Sequence, residues 1–224
     1  MKRYSKTVLL AVLAMVCHLG HAQGFVNLDF ESANLSGYSF GSVPASAAIP
    51  GWTAYSGIVA LANINLVETG SEVQGPVEIA QSTALQGNYY VSLTWNGNAN
   101  THPSISQTGT IPATTQSLIW WGTGGSSFTA VSINGQSLSF SLLSNEGYYG
   151  IFGADISAYA GQTGQLVFSS NEPITAGNVW IDNVQFSSSQ IPEPSTLGLL
   201  ALGCSLYLGS IRANLWLKSF ARFE

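Results

Sequence analysis

Between Lys6 and Arg212 the chain contains no lysine and no arginine; its six basic residues all lie at the two ends. The stretch 23–190 carries nine acids, Asp29, Glu31, Glu68, Glu72, Glu78, Glu146, Asp155, Glu172 and Asp182, and hence a formal charge of −9, against −5 for the whole chain. Binding DNA or RNA through phosphates is excluded, because no cation is present to release counterions. Basic residues cannot grip an anionic sugar or lipid either. A buried carboxylate in this stretch must be met by backbone N–H groups, by a proton or by a metal ion.

Cysteine is equally scarce. Cys17 and Cys204 lie outside the central stretch, so the body has no disulfide and is held by its core. One histidine there, His102, and no cysteine argue against zinc. No Gly-x-Ser-x-Gly elbow singles out a serine nucleophile. Two acids would suffice for a glycosidase, yet Glu68, Glu72 and Glu78 fall in an expected loop with nothing to distinguish acid from base. The expectation is a non-enzyme.

What is present begins at the ends. Met1-Lys2-Arg3-Tyr4-Ser5-Lys6 is cationic, residues 8–17 are mostly apolar, and Gly20 and Ala22 are small. That is the pattern of a secretory signal peptide, residues 1–22, too short to span a bilayer. At the other end Pro192-Glu193-Pro194-Ser195-Thr196 precedes an apolar stretch, 197–211, followed by Arg212, Lys218 and Arg222. The prolines break the chain, and the cations would stay on the cytoplasmic side of a membrane helix. The expected division is a signal peptide (1–22), one domain (23–188), a linker with the Pro-Glu-Pro motif (189–196), a transmembrane sorting helix (197–211) and a basic cytoplasmic tail (212–224).

The C-terminal arrangement resembles the PEP-CTERM sorting signal of bacterial exopolysaccharide-associated proteins, carried by Pro192, Glu193 and Pro194, the apolar helix and the basic residues after it. The resemblance implies export, transient anchoring in the inner membrane and recognition by the membrane protease-transpeptidase exosortase, followed by release to the cell surface or extracellular matrix. The chain departs from the pattern in a longer tail with spaced cations and the aromatic Trp216, Phe220 and Phe223, so simple anchoring stays open.

The body is rich in Ser, Thr, Gly, Asn and aromatics. Leu138, Phe140 and Leu142 alternate with serines, and Tyr89, Val91, Leu93 and Trp95 alternate with Tyr90, Ser92 and Thr94, which predicts strands with one buried face. Asn134-Gly135 between 128–133 and 136–143 predicts a hairpin on a type I′ turn. Further strands are expected at 25–30, 58–62, 104–108, 116–121, 149–153, 165–169 and 179–186. Ile49-Pro50-Gly51-Trp52 reads as a turn that drops an aromatic into the core, and 155–161 as a short helical turn with Asp155 as N–H acceptor. Many short strands with Gly and Asn turns indicate an all-β sandwich or jelly roll.

The order of Asn27-Leu28-Asp29-Phe30-Glu31, Ile49-Pro50-Gly51-Trp52, Gln86-Gly87-Asn88-Tyr89-Tyr90-Val91-Ser92-Leu93, Ile105-Ser106-Gln107-Thr108 and Val179-Trp180-Ile181-Asp182-Asn183-Val184 resembles galactose-binding-like jelly rolls, the superfamily of many carbohydrate-binding modules. The resemblance implies neighbouring opening and closing strands with a structural calcium ion between them, on Asp29, Glu31 and Asp182. Calcium takes six to eight oxygens. Without a cation, clustered carboxylates would repel one another; solvent-facing or capping roles are the alternative.

A sugar site is the other candidate. Trp52, Tyr55, Trp95, Trp120, Trp121, Tyr148 and Tyr149 offer rings that can stack on a pyranose, although half or more belong in a core. Trp95, Asn96, Asn98 and Asn100 form one loop of an aromatic and three amides. The function expected is carbohydrate or exopolysaccharide binding by an exported, non-catalytic protein, with a purely structural matrix protein or a polysaccharide hydrolase as alternatives.

Overall fold

The computed structural model describes residues 24–68, 75–81, 85–95, 101–170 and 177–191. The expected signal peptide, Pro-Glu-Pro motif, sorting helix and tail lie outside them. Among the described residues no helix is long and apolar enough to cross a membrane. The chain divides into two units, Met1–Ser189 and Gln190–Glu224; the first carries the fold.

In order the elements are β1 (Gly41–Pro44), α1 (Ala45–Ala48), β2 (Thr53–Ser56), β3 (Val59–Leu61), β4 (Asn63–Glu68), β5 (Val77–Gln81), β6 (Tyr89–Trp95), β7 (Pro103–Thr110), β8 (Ser117–Gly122), α2 (Gly125–Phe128), β9 (Thr129–Ile133), β10 (Gln136–Ser137), β11 (Phe140–Asn145), β12 (Gly150–Asp155), a 3₁₀ turn (Ser157–Tyr159), β13 (Thr163–Ser170) and β14 (Gly177–Ser187). The strands form a large sheet of eight, β1-β4-β5-β6-β14-β8-β12-β11, and a small sheet of six, β10-β9-β13-β7-β2-β3. Pairing is antiparallel except between β4 and β5.

One core lies between the sheets. Alternation sends Val91 and Leu93 of β6, Leu118 and Trp120 of β8 and Val179 and Ile181 of β14 inward from the large sheet, against Ile105 of β7, Val131 and Ile133 of β9 and Leu166 and Phe168 of β13. An aromatic series joins the layers. Trp52 lies 5.6 Å from Phe30 and 6.4 Å from Phe168, and Phe168 lies 5.5 Å from Trp120, which also meets Phe140 at 4.8 Å. The expected all-β sandwich is present.

The expected hairpin forms on Asn134 (φ 52) and Gly135 (φ 75), the two left-handed positions a type I′ turn needs. Its second strand departs from expectation. β10 stays with β9, but β11 crosses to the large sheet beside β12, with a register shift between Leu142 and Ser144. The serine alternation therefore spans two sheets, and Leu142 is 52% exposed instead of buried.

The expected strand at 25–30 is absent. Asn27 (φ 50) and Phe30 (φ 58) adopt left-handed backbone, which an extended ladder cannot accommodate. The segment instead straps the sheets together. Gln107, buried on β7, accepts from Val26 N–H (2.6 Å) and donates to Val26 C=O (2.9 Å), standing in for a strand neighbour. Trp52 Nε1 donates to Asn27 C=O (2.9 Å), and Val184 N–H of β14 donates to Leu28 C=O (2.9 Å). Asp155 accepts from Ser157 N–H at 2.8 Å, as expected of a turn acceptor, and this bond holds its carboxyl below the ordinary range.

Candidate functional site: the outward face of the large sheet

The residues that alternate with the core positions of the large sheet point away from the small sheet. On β5 these are Glu78 and Ala80, on β6 Tyr90, Ser92 and Thr94, on β14 Asn178, Trp180 and Asp182, and on β8 Ile119 and Trp121. Registers place Trp180 opposite Ser92 and Trp121 opposite Asp182. Trp180 and Trp121 are therefore diagonal neighbours, roughly 7–8 Å apart.

Two aromatic pairs result. Tyr90 and Trp180 meet at 5.0 Å and 48°; with Val67 and Ala80 they form an apolar cluster separate from the main core. Trp121 and Tyr149 stack at 5.3 Å and 26°, and Tyr148 meets Tyr149 edge-on at 5.1 Å. Tyr149, Trp121 and Trp180 are half-buried, and Tyr148 is 58% exposed. Burial, then the nearby Glu146, holds the Tyr149 phenol above its ordinary value.

Two recesses adjoin the pairs. An open cleft of about 440 Å³ runs between the residues after β8 (Thr123, Gly124) and the β11–β12 turn (Asn145, Tyr148, Tyr149). A smaller recess, about 60 Å³, lies among Val67, Glu68, Glu78, Ala80, Tyr90, Ser92, Asn178 and Trp180. Glu78 is only 3% exposed and accepts from Gly75 N–H at 3.0 Å. Asn178 accepts from the Thr94 hydroxyl at 3.0 Å. Ser92, also 3% exposed, has a buried hydroxyl with no hydrogen-bond partner among the described residues.

Farther along β14 the strand bulges. Asp182 pairs with Trp121 and Gln185 with Ile119, so the partner strand advances two residues while β14 advances three; Asn183 at φ 45 absorbs the difference. Asp182 is fully buried. Its oxygens accept from Gln86 N–H and Asn183 N–H, both at 2.7 Å. Burial pushes its carboxyl up to about 7, the two N–H bonds oppose this, and the charges of Glu31 and Asp29 push it further up. Glu31 accepts from Asn88 N–H (2.6 Å), Tyr89 N–H (2.9 Å) and the Asn88 amide (2.9 Å). Gly87 (φ +66) admits that carboxylate, which any Cβ there would overlap. Asp29 accepts from Glu31 N–H at 3.3 Å.

Asp29, Glu31 and Asp182 are thus brought into one electrostatic neighbourhood. Among the described residues, however, no three His, Cys, Asp or Glu side chains form a group that could hold a metal ion by themselves. Backbone N–H groups supply part of what a cation would. The donor chemistry is still that of a hard cation, oxygen throughout, and the buried Gln86 Oε1 has no hydrogen-bond partner among the described residues. Any ion here would draw on Asp182, Glu31, Asp29, amide oxygen and main-chain carbonyls together.

The expected sugar loop fares differently. Trp95 is 6% exposed, and its ring lies parallel to His102 at 5.6 Å and 1°, so its face is covered and it is no open platform. Asn96, Asn98 and Asn100 lie outside the described residues. Of the other rings, Trp52 and Trp120 are core, while Trp121, Tyr148 and Tyr149 stand together. Tyr90, Trp180, Ser92 and Glu78 were not expected as site residues. Glu78 lies within β5 and Glu68 ends β4, where a loop was expected; Glu72 lies outside the described residues. The period-two signal that assigns Val91 and Val179 to the core also assigns Tyr90 and Trp180 to the opposite face.

No family model matches the chain, and no curated protein is similar to it. Among solved structures, it is similar to TmCBM61 in complex with β-1,4-galactotriose, at 13% identity and TM-score 0.41, covering 74% of this chain and 99% of that one. It is also similar to the enzymatically active domain of bacteriophage CBA120 tailspike protein 4, at 15% identity and TM-score 0.39, covering 66% of this chain and 21% of that one. At such distance the ligand of the first and the activity of the second stay with those proteins.

Proposed function

We propose that the protein is an exported, exosortase-sorted, non-catalytic component of the cell surface or extracellular matrix, with a galactose-binding-like jelly roll that binds carbohydrate on the outward face of its large sheet. The observation that carries this reading is the set of half-buried rings, Trp121, Tyr149 and Trp180, on the outward face of one sheet. Trp121 stacked on Tyr149, and Trp180 backed by the buried Tyr90, stand on or beside adjoining strands, flanked by carboxylates, a hydroxyl and amides. Ring faces meet the C–H face of a pyranose, and the polar groups meet its hydroxyls.

Calcium belongs to the same proposal as a structural ion at the strap, on Asp29, Glu31 and Asp182. It supplies positive charge where the body has no basic side chain, and it leaves the sugar face to the rings.

Affinity electrophoresis of the full chain through gels containing polysaccharide tests the binding. Retardation by at least one polysaccharide is expected, and its loss in Trp121→Ala and Trp180→Ala. Migration unchanged on every gel would overturn it. Release of reducing sugar would overturn the non-catalytic part. Fractionation tests the address, since intact chain recovered from cytosol contradicts export.

A purely structural matrix role is the second reading, favoured by apolar side chains on the outermost strands. Ile58 and Val59 at β3 are 98% and 61% exposed, and Leu142 and Leu143 on β11 are 52% and 38% exposed. Exposed apolar edges template pairing with other chains. Concentration-dependent assembly with no glycan retardation would favour it.

A further inference from the structure

We propose that the recess among β4, β5, β6 and β14 anchors a hydroxyl-bearing group of the bound sugar and restricts the ligand to neutral glycans; this rests on the carbohydrate reading and adds its selectivity. The recess has three properties. First, it contains an unmet group. The Ser92 hydroxyl is buried without a hydrogen-bond partner among the described residues, and a buried hydroxyl left unsatisfied is unfavourable. A hydroxyl entering the recess satisfies it.

Second, its size and walls suit a small polar group. About 60 Å³ is enough to admit water or a small polar group such as a hydroxymethyl. Tyr90 and Trp180 wall one side, and Asn178 and Glu68, both exposed, stand at its rim. The sugar ring then rests over Trp180 and dips one substituent inward. Glu78 lines it as well, and carboxyl oxygens accept O–H donors.

Third, its charge has one sign. Glu68 and Glu78 both line it, and the chain has no lysine or arginine between residues 6 and 212. A uronate, sulfate or phosphate would enter beside two acidic side chains, Glu68 and Glu78, with no basic side chain to offset its charge. Neutral hydroxyls meet no such repulsion.

The test is calorimetric titration of the full chain with neutral glucan, mannan and galactan oligosaccharides, and with oligogalacturonate and sulfated oligosaccharides, in EGTA and in calcium. Expected is binding of at least one neutral series, little changed by salt, and none of the anionic probes in either condition. Ser92→Ala and Glu78→Gln each weaken that binding about tenfold, the equivalent of roughly 1.4 kcal/mol. Ser92→Ala melts at the wild-type temperature or above, since it removes an unmet hydroxyl. Anionic probes bound as tightly as neutral ones would overturn the selectivity and leave carbohydrate binding standing. Full affinity in Ser92→Ala and Glu78→Gln, with loss in Trp121→Ala, would overturn the recess alone. No binding of any probe would sink both.

Discussion

Trp120 and Trp121 are consecutive residues of one strand with opposite fates. Trp120 is 1% exposed, with Phe140, Phe152 and Phe168 around it; Trp121 is half-buried and stacked on Tyr149. The same side chain thus serves cohesion on one face of the sheet and stands available to a ligand on the other. Composition cannot tell them apart, because both are tryptophan; strand parity can. Asp182 adds a third case, outward by parity yet sealed by the segment at Gln86 and the strap.

The largest effect is expected inside. Trp120→Ala should lower stability by about 3–5 kcal/mol, since a large aromatic at the junction of the two layers leaves a cavity its neighbours cannot fill. Urea denaturation measures it, and Trp121→Ala should lose less than half as much. Equal losses for the two variants would break the distinction between the faces.

Asp182 comes next, and its sign follows from linkage. Its folded value of about 7 stands above the ordinary 3.8, so the folded chain binds the extra proton. Its contribution to stability is then fully present below the ordinary value and is lost as pH rises through about 7. At 1.36 kcal/mol per pH unit the loss reaches at most about 4 kcal/mol. In EGTA, melting temperature should therefore fall from pH 5 to pH 8. Bound calcium would favour the ionised carboxylate beside Glu31 and Asp29, flatten the profile and raise the melting temperature at pH 8. A profile identical with and without calcium would leave backbone N–H groups as the whole answer to the buried acids.

Sheet architecture was legible in the sequence where period-two alternation is strong. Strands at 89–95, 116–121 and 179–186 were expected within a residue or two of β6, β8 and β14, and Asn134-Gly135 located its turn. What alternation could not carry was long-range assignment. The strand at 25–30 failed because Asn27 and Phe30 turn left-handed to receive the Trp52 N–H and Gln107 contacts, which are tertiary. β5 was missed because both faces are covered there, as in Val77-Glu78-Ile79-Ala80, and a strand buried on both sides does not alternate cleanly. The candidate ligand loop after Trp95 was chosen for local composition. The rings that share a surface, Trp121, Tyr149 and Trp180, are far apart in sequence and meet only through register.

Smaller than either stability effect is the energetic share of each outward ring. Trp121→Ala and Trp180→Ala should each weaken glycan binding 10–100-fold, about 1–3 kcal/mol, in the range measured for aromatic anchors at interfaces. Affinity gels read this directly. If Trp95→Ala matched them in binding while keeping wild-type stability, the ligand face would be misplaced, because the Trp95 ring is buried against His102.

The weakest effect should fall at Tyr148. Its ring touches Tyr149 edge-on but is 58% exposed, so folding gains little from it and truncation should stay within about 0.5 kcal/mol of wild-type stability. Tyr148 also lines the open cleft beside the Trp121–Tyr149 stack. A long glycan crossing that stack would reach it, and a short one centred on Trp180 would not. Tyr148→Ala should therefore leave affinity for a disaccharide unchanged and lower affinity for a hexasaccharide two- to threefold, less than about 1 kcal/mol. Equal effects on both lengths would place Tyr148 at the centre of the site, and the Trp180 end would then have to be its periphery.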